Sequence, residues 1–134
     1  MRLNIFNFEG KDLAVAFVET MKVAEGVECD VYEFVGDKSK DLGIIRVKAG
    51  HRTPLQKVLK GERTVEGYIS GKGSLTIASG GAKKVYVAEK GLEVEVKIGE
   101  TMQWQAAPDS DLEVYEICFP PYEAGRFVNL DQKD

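Results

Sequence analysis

Apolar positions fall in short runs along most of the chain. The runs are 29–35, 42–48, 54–59, 64–70, 74–78, 84–88, 92–98, 102–106 and 112–119. Turn residues close each one, among them Gly36-Asp37, Ala49-Gly50, Gly71-Lys72-Gly73, Gly80-Gly81 and Pro120-Pro121. Val, Ile, Tyr and Thr are frequent in the runs, and their branched or flat side chains suit a pleated surface. Short segments with turns at this rhythm predict an all-β sandwich or barrel. Val85 and Val87, and likewise Leu92, Val94 and Val96, recur at every second position with Lys, Tyr or Glu between them. Such strands are expected to turn the apolar set to a core and the rest to water.

The first third of the chain supports two readings. Leu13, Phe17 and Met21 are spaced as on one face of a short helix capped by Asp12. Read at period two, Leu13, Val15 and Phe17 form one face of a strand. We favour extended structure packed on the sheet, with the helix as the alternative. Leu3 to Phe8 alternates and is expected to be an edge strand able to pair with a neighbour. The tail after Phe127 is polar and is expected to be loose. No repeat or linker divides the chain, so a single domain over 1–134 is expected, with its barrel core at 29–122.

Composition narrows the chemistry. With 22 Asp+Glu against 18 Lys+Arg, the chain carries a net charge of −4. That balance argues against a nucleic-acid partner, since phosphate binding wants a basic surface. No apolar run approaches the roughly 20 residues that span a bilayer. The opening segment interrupts its apolar pattern too often for a signal peptide, so no membrane partner and a cytoplasmic location are expected. His51 is the single histidine, which excludes a metal site built from several imidazoles. Cys29 and Cys118 lie far apart without zinc spacing and are expected to be buried, reduced thiols.

Gly50-His51-Arg52-Thr53-Pro54-Leu55-Gln56-Lys57-Val58, followed by Thr64 to Gly73, resembles the first motif of the cupin superfamily. Gly99-Glu100 resembles the step into its second motif. Leu112 to Tyr122 resembles the closing strand with its proline exit. The resemblance implies a double-stranded β-helix, that is, a jelly-roll barrel. It also implies a metal cage of three His and one Glu, and here the sequence departs from it. Counting on from Gly50 puts Gln56 and Val58 at the two His positions of the first motif. Counting back from Gly71 puts Thr64 at the Glu position, while counting from Gly73 puts Glu66 there. No His stands between Gly99 and Leu112. Gln56, Glu66 and Gln103 would hold a hard cation only loosely, because transition metals depend on imidazole, thiolate or carboxylate. No metal and no other cofactor is therefore expected.

Strand alternation lists the candidate pocket residues. Gln56 shares a face with Val58, and Thr64 shares one with Glu66 and Tyr68. If those faces look into a barrel mouth, Trp104 and Gln103 would join them from a facing strand, with Arg46 and Glu116 from others. Trp offers a plate for a sugar ring, Gln and Glu bond to hydroxyls, and Arg clamps a carboxylate. The expected ligand-binding set is thus Arg46, Gln56, Thr64, Gln103, Trp104 and Glu116. For proton transfer, the candidates are His51 or Glu66 as base and Tyr68 as acid. The first functional expectation is a small-molecule-binding protein without a catalytic metal, its ligand a sugar or a small organic acid. The alternative is a metal-independent sugar or keto-acid isomerase or epimerase. A metal-dependent dioxygenase or lyase ranks lower, because the ligands for it are missing. A barrel packed shut, with no ligand, is the remaining possibility. Cupins are often dimers, so the resemblance also implies a symmetric homodimer.

Overall fold

The computed structural model describes residues 2–130. Twelve strands form it: β1 (Ile5–Phe8), β2 (Lys11–Ala24), β3 (Val27–Phe34), β4 (Asp37–Val47), β5 (Gln56–Val58), β6 (Arg63–Gly71), β7 (Gly73–Ser79), β8 (Ala82–Val87), β9 (Glu93–Val96), β10 (Thr101–Ala106), β11 (Leu112–Phe119) and β12 (Phe127–Asn129). They make two antiparallel sheets, in the orders β1-β2-β3-β4-β11-β6-β9 and β12-β5-β10-β7-β8. The fold is an all-β jelly roll, as the rhythm of runs and turns predicts.

Two corrections concern the ends of the chain. The helix alternative for the first third is overturned: Leu13, Phe17 and Met21 all lie in β2. Pairing with β1 over residues 11–14 and with β3 over residues 15–24 satisfies the backbone groups that a helix would satisfy internally. The tail is not loose at its start either, because β12 pairs with β5 from Phe127 to Asn129.

One core fills the space between the sheets, built from Leu75, Met102, Trp104, Leu112, Val114 and their neighbours. A second covers the opposite face of the larger sheet and includes Phe8, Val15, Tyr32, Leu42, Val65 and Ile117. Three strands separate β1 from β11 in the hydrogen-bonding order. Yet Phe6 and Tyr115 meet edge to face with ring centroids 5.1 Å apart. The sheet therefore curls until the β1–β2 hairpin lies across its own outer face. Gly67 permits this packing, since a Cβ there would stand 2.0 Å from the Tyr115 ring.

A bulge lets β2 turn its odd positions to both sides of the sheet. Phe17 pairs with Tyr32 and Glu19 with Val31, which leaves Val18 over. Leu13, Val15 and Phe17 thus join the outer core. Beyond the extra residue the parity inverts, so Glu19, Met21 and Val23 face the barrel interior. Parity also overturns one expectation for β8. The Gly80-Gly81 turn, with φ of 54° and 88°, fixes Leu75 opposite Tyr86 and Ile77 opposite Lys84. Val85 and Val87 consequently face solvent, 59% and 67% exposed, while Tyr86 packs on the core. In β9 the expectation holds: Val96 is buried and Leu92 and Val94 are half-buried against the core.

Candidate functional site

The site begins with three neighbouring strands. Glu116 of β11 stands directly across from Gly43 of β4 on one side and from Glu66 of β6 on the other. Partners in register point to the same face, so both carboxyls turn inward. Glu66 is 1% exposed. From the facing sheet, the Trp104 Nε1–H donates to Glu66 Oε1 at 2.7 Å. No donor among the described residues reaches Glu66 Oε2. Burial, and then the charge of the adjacent Glu116, push the Glu66 carboxyl well above the usual carboxylate range. That shift favours the protonated form, which would donate from the otherwise orphaned Oε2 toward Glu116. The Trp104 indole, Glu66 and Glu116 thus stand in a row of hydrogen-bonding groups that runs from the facing sheet to the barrel wall.

Glu116 forms part of the wall of a cavity of about 500 Å³ between β2, β3, β4, β11 and the 53–56 loop. Asp41, Gln56, Cys29, Tyr122 and Phe127 also line it. Asp41 Oδ2 accepts the Tyr122 backbone N–H at 3.0 Å, and burial raises its carboxyl above the ordinary value. Cys118 donates its S–H to Glu116 Oε1 at 3.8 Å. Burial pushes the Cys29 thiol up to about 12 and raises Cys118 further, so neither is a thiolate nucleophile at neutral pH. Gly43 leaves room for Cys29, whose Sγ lies 2.9 Å from where a Cβ would sit.

The structure brings some of the sequence candidates together and separates others. Glu66, Trp104 and Glu116 form the hydrogen-bonded chain. Gln56 reaches the cavity and donates from Nε2 to Asn129 Oδ1 at 3.1 Å. Thr64 is buried beside Glu66's strand neighbours, where its Oγ1 accepts from Arg126 Nη2 at 3.0 Å. Arg46 projects from the outer face and pairs with Asp30 at 2.6 Å and Glu28 at 3.2 Å. Gln103 alternates out of the barrel and donates to the Thr53 carbonyl at 2.8 Å. Tyr68 turns its hydroxyl to the Gly71 carbonyl at 2.8 Å. His51 lies against Gly26, so close that a Cβ there would be 2.4 Å from its ring, in a separate groove with Lys48 and Asp111. Sequence reasoning missed Asp41, although it shares parity with Gly43 and Ile45. It also missed Arg126, buried at 1% exposure. The Arg126 guanidinium donates to the carbonyls of Pro120, Arg63 and Phe119 as well as to Thr64, and no run or motif announces it.

The cupin resemblance raises the matter of a resident metal, and the donor set does not fit one. The inner positions that would need imidazoles carry Gln56 and Val58, and Glu66 Oε1 is already occupied by an indole N–H. Among the described residues, no group of three or more His, Cys, Asp or Glu side chains is arranged to hold a metal ion.

No protein-family model matches the chain, and no curated protein sequence matches it. Solved structures do. The chain is similar to oxalate decarboxylase from Bacillus subtilis, in a structure determined at pH 4.6, with a TM-score of 0.70 and 22% identity. That match covers 84% of this chain and 30% of the other. A structure of the same enzyme, from work on its Mn(II) centres, gives a TM-score of 0.67 at 22% identity over 80% of this chain and 29% of that one. The chain thus spans about 30% of the length of these structures. The likeness establishes a cupin-type fold. No helix among the described residues is long and apolar enough to cross a membrane.

Proposed function

We propose that the chain binds a small, hydroxyl-bearing organic molecule such as a sugar in the barrel mouth, without a resident transition metal. The observation that carries this reading is the Trp104–Glu66–Glu116 chain ending on a cavity of about 500 Å³. Hydroxyl groups both donate and accept, and Glu116 with Gln56 offers acceptors and a donor at the cavity wall. Of the two ligand classes the sequence suggests, the wall favours the sugar. Asp41 and Glu116 would repel the carboxylate of an organic acid. The guanidinium of Arg126 is engaged by carbonyls, and Arg46 lies on the other face. The acid–base pair that an isomerase would need is not assembled, because Tyr68 and His51 point elsewhere and Glu66 sits behind Glu116. The Mn(II) centres named for the neighbouring enzyme are not carried over, since the donor set differs.

Saturation-transfer NMR with D-glucose and a set of small polyols tests this reading, alongside elemental analysis of the purified protein. The expected result is polyol binding that weakens severalfold in Glu116→Gln, in protein free of stoichiometric transition metal. A tightly held iron, manganese or zinc, or no polyol response at tens of millimolar, overturns it.

A further inference from the structure

The inner wall poses an electrostatic problem. Asp41, Glu116 and Glu66 converge from three adjacent strands, and Glu19 adds a carboxylate at the rim. No ion pair among the described residues involves any of the four. Lys22, the lysine on the cavity rim, faces Glu25 at 4.0 Å. Arg126 acts on Asp41 through space, but its Nη donors are taken by three carbonyls and Thr64. Burial and the neighbouring Glu116 favour the neutral form of Glu66. Its Oε2 is buried with no donor and turns toward Glu116. Glu116 faces the cavity with the Cys118 thiol and the Glu66 carboxyl beside it, and no ion pair among the described residues reaches it. A buried carboxylate in such surroundings gains from a positive partner.

The rest of the cavity suits that partner. Tyr122 and Phe127 line it as a tilted ring pair, with centroids 5.9 Å apart and planes at 33°. Aromatic faces attract cations through their quadrupoles, and the Arg126 guanidinium already lies 5.8 Å from the Phe127 ring centroid, which leaves the Tyr122 ring as the open face. We propose that the ligand of this cavity carries a protonated amine, which docks against Glu116 and Asp41 near the Tyr122–Phe127 rings. The inference rests on the binding reading above and narrows its ligand class to amino sugars and amino alcohols.

Three probes on one ring skeleton separate the possibilities: D-glucosamine, D-glucose and D-glucuronate, titrated calorimetrically in phosphate rather than amine buffer. A charge-assisted hydrogen bond in a partly buried site is worth roughly a tenfold gain in affinity. Glucosamine is therefore expected to bind about tenfold tighter than glucose, with glucuronate weakest. Glu116→Gln is expected to erase the glucosamine advantage, and Asp41→Asn to shrink it. Should the Glu116 variant fail to fold, Asp41→Asn, on the same cavity wall, carries the same comparison. Glucose binding as well as glucosamine defeats the amine inference and leaves the polyol reading standing. An amine advantage that survives both substitutions defeats it too, because the ammonium would then dock elsewhere. No response to any of the three probes sinks both.

Discussion

Glu66→Gln isolates the buried acid, and its effect on stability depends on pH. In the unfolded chain Glu66 titrates near its ordinary value of 4.5, whereas in the fold its titration is displaced well upward by burial and by Glu116. Below the unfolded value both states hold the proton and the group contributes no pH dependence. Above it the unfolded state releases the proton while the folded state retains it. Stability of the natural chain then falls by about 1.4 kcal/mol per pH unit until the folded group ionises as well. The variant keeps an acceptor for the Trp104 N–H and presents an amide donor to Glu116, but it has no proton to lose. The stability difference, variant minus natural chain, should therefore widen in the variant's favour as pH rises from about 5 toward 7. Asp41, whose carboxyl is raised, and Asp30, which Arg46 holds low, titrate in both proteins and cancel in the difference. Guanidinium unfolding at several pH values reads the effect directly. Thermal melts should separate by about 4 °C for each kcal/mol. Curves that stay parallel across this range, with a constant offset, would show that Glu66 is not held as a neutral acid and would remove the hydrogen-bonded chain from the site.

Gly67→Ala would place a methyl 2.0 Å from the Tyr115 ring and should destabilise by about 1–3 kcal/mol. In a Tyr115→Leu background most of that loss should vanish, so a double-mutant cycle showing additive effects would refute the packing argument. Arg126→Met strips donors from the carbonyls of Pro120, Arg63 and Phe119 and should cost roughly 3–5 kcal/mol. Hydrogen exchange should then quicken in β12, whose pairing with β5 begins one residue after this side chain. Unchanged β12 protection would mean that Arg126 does not anchor the C-terminal segment.

The run-and-turn pattern carried the strands well because its signals are local. Gly80-Gly81 and Pro120-Pro121 dictate backbone geometry whatever surrounds them. All nine runs contain an observed strand, from β3 near Cys29 to β11 at Leu112–Phe119. Parity was harder to read. Alternation says that two residues share a face, but it does not say which face is inside, and a single extra residue inverts it. Val18 does this in β2, where the odd positions from Leu13 to Val23 are apolar except at Glu19. The half up to Phe17 joins the outer core, while Met21 and Val23 in the other half line the cavity and stay 44% and 39% exposed. In β8 the turn assigned the opposite parity to the apolar residues, so Val85 and Val87 lost to Tyr86 and Lys84.

The same limit governed the site. Along β3, β4, β6 and β11 the larger sheet is apolar on both faces because the β1–β2 hairpin folds over its outside, and these strands lack the one-sided pattern of a half-wet sheet. Arg46 between Ile45 and Val47 therefore read as facing the interior as readily as Glu116 between Tyr115 and Ile117. What separates them is cross-strand register. Arg46 stands across from Glu28 in β3, with Asp30 two residues along the same face, and both acids are within its reach. Glu116 stands between Glu66 and a glycine. An acid placed opposite another acid, with Gly43 on its other flank, has no cation across the strand from it, and only the small thiols of Cys29 and Cys118 beside it. That combination leaves both space and unspent hydrogen-bonding capacity at one point of the barrel wall. It depends on three strands drawn from 43, 66 and 116, whose pairing no local pattern specifies. Residue type singled out Glu66 and Glu116 from the sequence, and the sheet order made them a site.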